Sequence, residues 1–238
     1  MRLAEIWRYP VKSLAGERLD HAALAPGGIA GDRLYQVHRA DGSIVDARAH
    51  PKLLALHAHL NPSGQLLIDD QPWDSPQVAR AIEAAAAVGP GAHLERHERA
   101  DRFDVLPLLI ATDGAIAALG HDGRRLRPNL VIGGVEGLAE REWGGHALEI
   151  GETRIGVLRL RPRCVMTTWD PDTQAQDLSV LRELVERFDS RFALDGWVIR
   201  GGTLRVGDPV RVSALSEQPG ERMWGRYAGP SAREGRQS

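Results

Sequence analysis

Cys164, the one cysteine of the chain, carries the most chemistry. A thiolate is both a nucleophile and a soft metal ligand, and neighbouring cations favour its formation. The residue sits in Arg159-Leu160-Arg161-Pro162-Arg163-Cys164-Val165-Met166-Thr167-Thr168-Trp169-Asp170-Pro171-Asp172-Thr173. If this run is extended, Arg159, Arg161 and Arg163 point to one side, and Leu160, Pro162 and Cys164 to the other. The plainer reading of a free cysteine is a small, buried core side chain. Asp170-Pro171-Asp172-Thr173 is a turn signal by its own residues, so its aspartates can simply cap backbone amides.

Two further clusters suit an anion. Tyr9-Pro10-Val11-Lys12-Ser13 is followed downstream by Gly31-Asp32-Arg33. Lys12, Ser13 and Arg33 offer a point charge, a hydroxyl and a planar fork, the parts of an anion cradle. The alternative is a surface turn with solvated charges. Arg124-Arg125-Leu126-Arg127-Pro128-Asn129 reads as a basic surface loop. Thr112-Asp113, at an expected helix start, either joins a phosphate site through backbone amides or only caps the helix. His57 with His59 would share a strand face, and His93 with His97 a helix face. Neither pair has a carboxylate at metal-site spacing. Neither a Gly-x-Ser-x-Gly elbow nor a glycine-rich loop ending in Gly-Lys-Ser/Thr occurs.

Short strands must position these residues. Alternation and turn residues predict strands over 2–9, 17–25, 34–38, 44–47, 53–60 and 65–68, with hairpins at Asp41-Gly42 and Asn61-Pro62-Ser63-Gly64. Ser75 and Pro76 open a helix near 76–88, which Gly89-Pro90 ends. Then come a strand near 105–110, a helix at 113–119, strands at 129–133, 147–150 and 154–160, a helix at 177–188, and strands at 196–200 and 209–213. From Ser216 the composition becomes polar and reads as a loose tail. The sum is an α+β fold, mostly antiparallel and barrel-like with a few helices, and without alternating βαβ units.

With 238 residues, 42% hydrophobic and 26% charged, the chain is long enough to bury a core. A single cysteine excludes an internal disulfide, a cysteine-rich zinc site and an iron–sulfur cluster. The net charge of −2 argues against a nucleic-acid partner. Of the 30 basic residues only Lys12 and Lys52 are lysines. There is no membrane-length apolar run, and Met1 to Arg8 lacks the core of a secretion signal. The expectation is a soluble, cytoplasmic protein with no membrane partner.

Three ordered segments, Tyr9–Ser13, Arg127–Ile132 and Arg163–Thr173, resemble the molybdenum cofactor sulfurase C-terminal (MOSC) family. More narrowly, they are similar to its branch with an N-terminal β-barrel region, and Val206-Gly207-Asp208-Pro209-Val210 matches that family's closing strand. The resemblance implies an N-terminal β-barrel-like region over 1–100, a MOSC domain over 101–215 and a flexible tail over 216–238. It also implies a molybdenum–pterin cofactor, with Cys164 as the protein ligand to the metal. The pterin dithiolene would supply two soft sulfurs and the thiolate a third. Lys12, Ser13 and Arg33 would hold the phosphate end, with Thr112, Arg127, Asn129, Arg163, Thr167 and Arg48 as further cofactor positions.

The activity implied is two-electron reduction of N-hydroxylated compounds (amidoximes, hydroxylamines) or related N- and S-oxides. Asp170 or Asp172 would relay protons or cap the turn. Membrane-anchored relatives carry an N-terminal extension for which no room is expected here, since the first motif begins at Tyr9. Some relatives fuse a ferredoxin domain, whose cluster this chain lacks the cysteines to hold. Electrons are therefore expected from a separate ferredoxin, cytochrome b5-like protein or flavoprotein reductase. The alternatives are a cofactor carrier or sulfur-transfer module without redox turnover, and a metal-free cysteine nucleophile.

Overall fold

A computed structural model describes residues 1–220 and 223–227. Its first strand, β1 (Arg2–Arg8), buries both Leu3 and Ile6, a spacing that strict alternation forbids. A register shift between Leu3 and Glu5 resolves this, turning Ile6 back to the core side. β1 joins a large sheet with β2 (Glu17–Leu19), β3 (Leu108–Thr112), β4 (Leu130–Gly133), β5 (His146–Ile150), β6 (Thr153–Pro162), β7 (Arg191–Arg200) and β8 (Val210–Ala214). The order across the sheet is β8-β5-β6-β7-β3-β4-β1-β2.

The class is α+β and the large sheet is mostly antiparallel. No closed barrel forms among the described residues. An isolated bridge from Arg2 to Pro209 links β1 to the residue before β8, with Leu3 N–H donating to Asp208 O at 2.9 Å. Within this mostly antiparallel sheet one pair runs parallel: β3 and β4. A parallel pair needs a crossover, and a helix within residues 113–119 supplies it.

Three smaller, three-stranded sheets complete the β structure. One pairs Tyr35–His38 with both Ile44–Val45 and His93–Arg96. His93 therefore lies on a strand, not on a helix with His97. The expected strand at 53–60 begins instead as a 3-10 turn, Pro51–Ala55, because Pro51 opens it; the strand proper is Ala58–Leu60.

Helix α1 (Pro76–Ala86) is capped by Ser75, whose hydroxyl accepts from Val78 N–H at 3.3 Å. It buries Val78, Ile82 and Ala86 on a core that includes Val11, Leu14 and Leu53. Helices α2 (Asp113–Leu119) and α3 (Leu178–Phe188) cover another face of the large sheet, where Ala115, Leu184 and Phe188 meet Leu109 and Phe192. No helix among the described residues is long and apolar enough to cross a membrane.

The segment expected as a loose tail does not start loose. Gly225, Arg226 and Tyr227 N–H groups donate to Val105, Phe103 and Asp104 carbonyls at 2.8, 2.9 and 2.9 Å. Met223 and Trp224 pack against Val105, Leu106 and Trp197. Two apolar side chains within a polar stretch are enough to fasten it.

Candidate functional site

Cys164 follows the end of β6, and its backbone is extended (φ −136°, ψ −178°) before the 3-10 turn Val165–Thr168. Its carbonyl accepts from Thr167 N–H at 3.1 Å and from Thr167 Oγ1 at 2.9 Å, which fixes the turn. The cysteine is exposed, so the core reading fails. It opens onto a cavity of about 500 Å³. Arg159, Arg161, Pro162 and Arg163 line the same cavity, against the alternation expected for an unbroken strand. Shifts in the β6–β7 register at Val157/Arg159 and Leu160/Pro162 break that alternation.

The opposite wall comes from the first half of the chain: Lys12, Ser13, Arg33 and Arg48, with Arg127 and Asn129 between. In all, nine lining residues are Lys or Arg and two are Asp. The cations are partly committed. Lys12 Nζ donates to Asp104 Oδ1 at 2.8 Å and to Arg102 O at 2.9 Å, and Arg48 Nη2 donates to Asp104 Oδ2 at 2.8 Å. Burial alone would raise the Asp104 pKa, but Lys12, Arg48 and Arg161 outweigh it and hold the carboxyl well below the usual range. Burial likewise opposes the charge on Arg48, but Asp104, Cys164 and Tyr227 together keep that guanidinium more strongly protonated than usual. Arg48 Nη1 also donates to Tyr227 Oη at 3.2 Å, and its guanidinium stacks 5.1 Å from the Tyr227 ring centroid.

Arg161 pairs with the fully buried Asp195. Among the described residues Arg163 has no carboxylate partner. It donates from Nη2 to Leu126 O at 2.9 Å, and its Nε is buried without a partner. Burial, then the charge of Arg161, brings the Arg163 pKa down to about 10.

Behind the cradle lies a ring held between two cations. Arg127 and Arg33 stack at 4.3 and 4.9 Å from the centroid of buried Tyr9. Asp32, also buried, accepts from Tyr9 N–H at 2.8 Å and Asn129 Nδ2 at 3.1 Å, and it pairs with Arg33. Asn129 Oδ1 accepts from Leu109 N–H at 3.2 Å and Arg33 Nη1 at 3.3 Å. Burial pushes the Tyr9 phenol up to about 12 and Arg127 down to about 10. Three of these wall residues adopt left-handed backbone without being glycine: Ser13 (φ 77°), Arg33 (φ 53°) and Arg127 (φ 56°). Such strain persists only where surrounding structure enforces it, and it concentrates at functional sites. The supposed surface loop around Arg127 is a 3-10 turn that buries Leu126.

Four expected site residues do not line this cavity. Thr112 is buried, caps α2 by accepting from Ala115 N–H at 3.1 Å, and donates to Glu140 Oε2. Thr167 sits behind Cys164. Asp170 accepts from the backbone of Asp172 and Thr173 and pairs with Arg125 at 2.8 Å. Asp172 pairs with Arg124 at 2.6 Å and faces a second cavity of about 240 Å³, across Arg127 and Met166. The Thr173 backbone hydrogen bond lowers the Asp170 pKa, and the Arg124 hydrogen bond lowers that of Asp172. Sequence alone does not single out Asp104, Asp195 or Tyr227, because their partners lie far along the chain, and it gives Asp32 no role.

Chemically, the arrangement presents one accessible thiol, an excess of positive charge and room for a small anionic group. No group of three or more His, Cys, Asp or Glu side chains gathers among the described residues, and the protein offers a soft metal one thiolate, that of Cys164. A cofactor bringing its own sulfurs and a phosphate fits that donor set and that charge.

Comparison with known proteins assigns residues 1–102 to the MOSC N-terminal beta barrel domain and residues 113–211 to the MOSC domain. Mitochondrial amidoxime-reducing component 1 of Homo sapiens is 27% identical over 277 residues, covering 87% of this chain and 82% of the relative. Mitochondrial amidoxime reducing component 2 of Homo sapiens is 24% identical over 278 residues, with the same coverage of 87% and 82%. Molybdenum cofactor sulfurase of Bombyx mori is 31% identical over 98 residues, 41% of this chain and 12% of the relative.

Proposed function

The chain belongs to the MOSC family, and on that premise we propose that it is a molybdenum-cofactor-dependent reductase of N-hydroxylated small molecules or related N- and S-oxides. The observation that carries this reading is an exposed thiol, Cys164, on the wall of a cation-rich cavity built from both family regions. Cys164 would hold the metal, and Lys12, Ser13, Arg33, Arg127 and Arg163 would face the cofactor's phosphate. When bound, the cofactor supplies the two-electron oxygen-atom chemistry that no side chain here can perform. For an amidoxime, two electrons and two protons cleave the N–O bond and give the amidine and water.

The remaining roles belong to the protein. Asp104 fixes Lys12 and Arg48, and Asp195 fixes Arg161, so the cationic wall is set before a ligand arrives. Asp32 and Tyr9 hold Arg33 and Arg127 from behind. Asp170 and Asp172, tied to arginines away from the cavity, take no part. Electrons come from a separate donor protein, and a reducing compartment keeps Cys164 free.

The test uses cofactor-loaded protein, a chemically reduced viologen as donor and a simple aryl amidoxime, with amidine measured as product. Wild-type turnover lost in Cys164→Ser is expected. Full activity in that variant overturns the reading. Stoichiometric release of cofactor to an apo-enzyme without any turnover replaces it with the carrier alternative.

A further inference from the structure

Arg159, near the end of β6, and Arg191, at the start of β7, both line the Cys164 cavity and are both exposed. Arg191 lies opposite Pro162 in the ladder, and Arg159 opposite Asp195. That aspartate is already taken by Arg161. Among the described residues Arg159 has no ion pair or hydrogen bond. Arg191 has only a 3.6 Å approach to Asp189, whose side chain is 91% exposed.

The charge count makes these two residues informative. Nine cations line the cavity. Five carboxylates approach them: Asp104, Asp46, Asp32, Asp195 and Asp189. Nine less five leaves four. A phosphate monoester near neutral pH removes about two. About two positive charges remain in the cavity lining with no carboxylate to meet them.

We infer that the substrate is itself an anion, an N-hydroxylated small molecule carrying a carboxylate or similar oxyanion that Arg159 and Arg191 receive. The inference rests on the reductase reading for the word substrate, but not for the anion site. A concave mouth continuous with the partly buried Arg161 and Arg163 suits a small ligand better than the flat face of a protein. The planar fork of arginine matches a carboxylate in two hydrogen bonds.

Two measurements test it. In the first, cofactor-free protein is alkylated at its only thiol with iodoacetate, an anion, and with iodoacetamide, its neutral analogue. In each case the sulfur displaces iodide. The iodoacetate-to-iodoacetamide rate ratio should fall about fivefold in the Arg159→Gln/Arg191→Gln double variant and stay near wild type in Arg159→Lys/Arg191→Lys. In the second, cofactor-loaded protein is given benzamidoxime and its para-carboxylate. Wild type should prefer the carboxylate in kcat/KM, and the Gln pair should lose that preference about fivefold or more.

An unchanged alkylation ratio overturns the anion site. A shifted ratio with no reduction of either amidoxime keeps the anion site and rejects the reductase reading. If the ratio and the substrate preference stay put while KM for a donor protein rises, the mouth is a docking site and the inference is wrong.

Discussion

Lys12 and Asp104 are 92 residues apart in the chain and 2.8 Å apart in the fold. The carboxylate also takes Arg48, so one acidic side chain holds two cations of the cavity wall. Asp104→Asn should leave both cations short of a counter-charge and destabilise the protein by about 2 kcal/mol. The sign with pH follows from the depressed carboxyl. Its contribution is full above the ordinary carboxylate value of 3.8 and drains as pH falls below it. Urea unfolding at pH 7 and at successive steps below pH 4 should show the gap between wild type and variant narrowing. A constant gap would refute the assignment.

Cys164→Ser should lose molybdenum from the purified protein but not stability. The thiol is exposed and packs nothing, so the melting temperature should move by no more than about 1 °C. Metal analysis beside a thermal melt separates these effects. Molybdenum kept at the wild-type level in the variant would remove Cys164 from the metal.

Ser13 combines strain and a hydrogen bond: φ is 77°, and its Oγ accepts from Ala47 N–H at 3.0 Å. Ala and Gly both remove the hydroxyl, but only Gly relieves the backbone. Ser13→Gly should therefore be the more stable of the two by about 1 kcal/mol. Equal stabilities would mean that the left-handed geometry costs nothing there.

The Tyr9 phenol should ionise only near pH 12. Burial raises it, and Arg127 and Arg33 recover only part of the shift. A pKa raised on folding gives a contribution that is complete below the ordinary 10.0 and lost as pH climbs to about 12. The ultraviolet difference between wild type and Tyr9→Phe through an alkaline titration reads it. A normal phenol curve would place Tyr9 in solvent.

A chain ending at Ser216 should melt several degrees lower than the full chain, since it loses the Met223 and Trp224 packing and three backbone hydrogen bonds. It should also free Arg48 from the Tyr227 hydroxyl, 3.2 Å away. An unchanged melting temperature would show that residues 223–227 are not fastened in solution.

What sequence could show of this site divides by the range of the interaction. Cys164, Lys12 and Arg127 announced themselves by residue type and motif, and all three reach one cavity. Helices α1 and α2 were legible because their caps, Ser75 and Thr112, act on amides three residues away. The faces of β6 were not. A period-two reading assumes an unbroken ladder, and the slips at Val157/Arg159 and Leu160/Pro162 arise from pairing with β7. Asp104 stayed silent for the same reason: its two partners lie 92 and 56 residues away. The parallel β3–β4 pair was missed because short strand segments alone do not specify their neighbours.

The place of β1 also dictates how the protein can be made. Leu3 lies beside Ile132 in the finished sheet, so β1, once off the ribosome, finds that partner only after residue 132 has been translated. At the ordinary pace of synthesis, about 5–20 residues per second, the wait is roughly 6–25 s. Throughout it, an apolar strand edge stays open to other nascent chains. Chaperone supply and translation speed, more than final stability, should therefore govern how much soluble protein a cell accumulates.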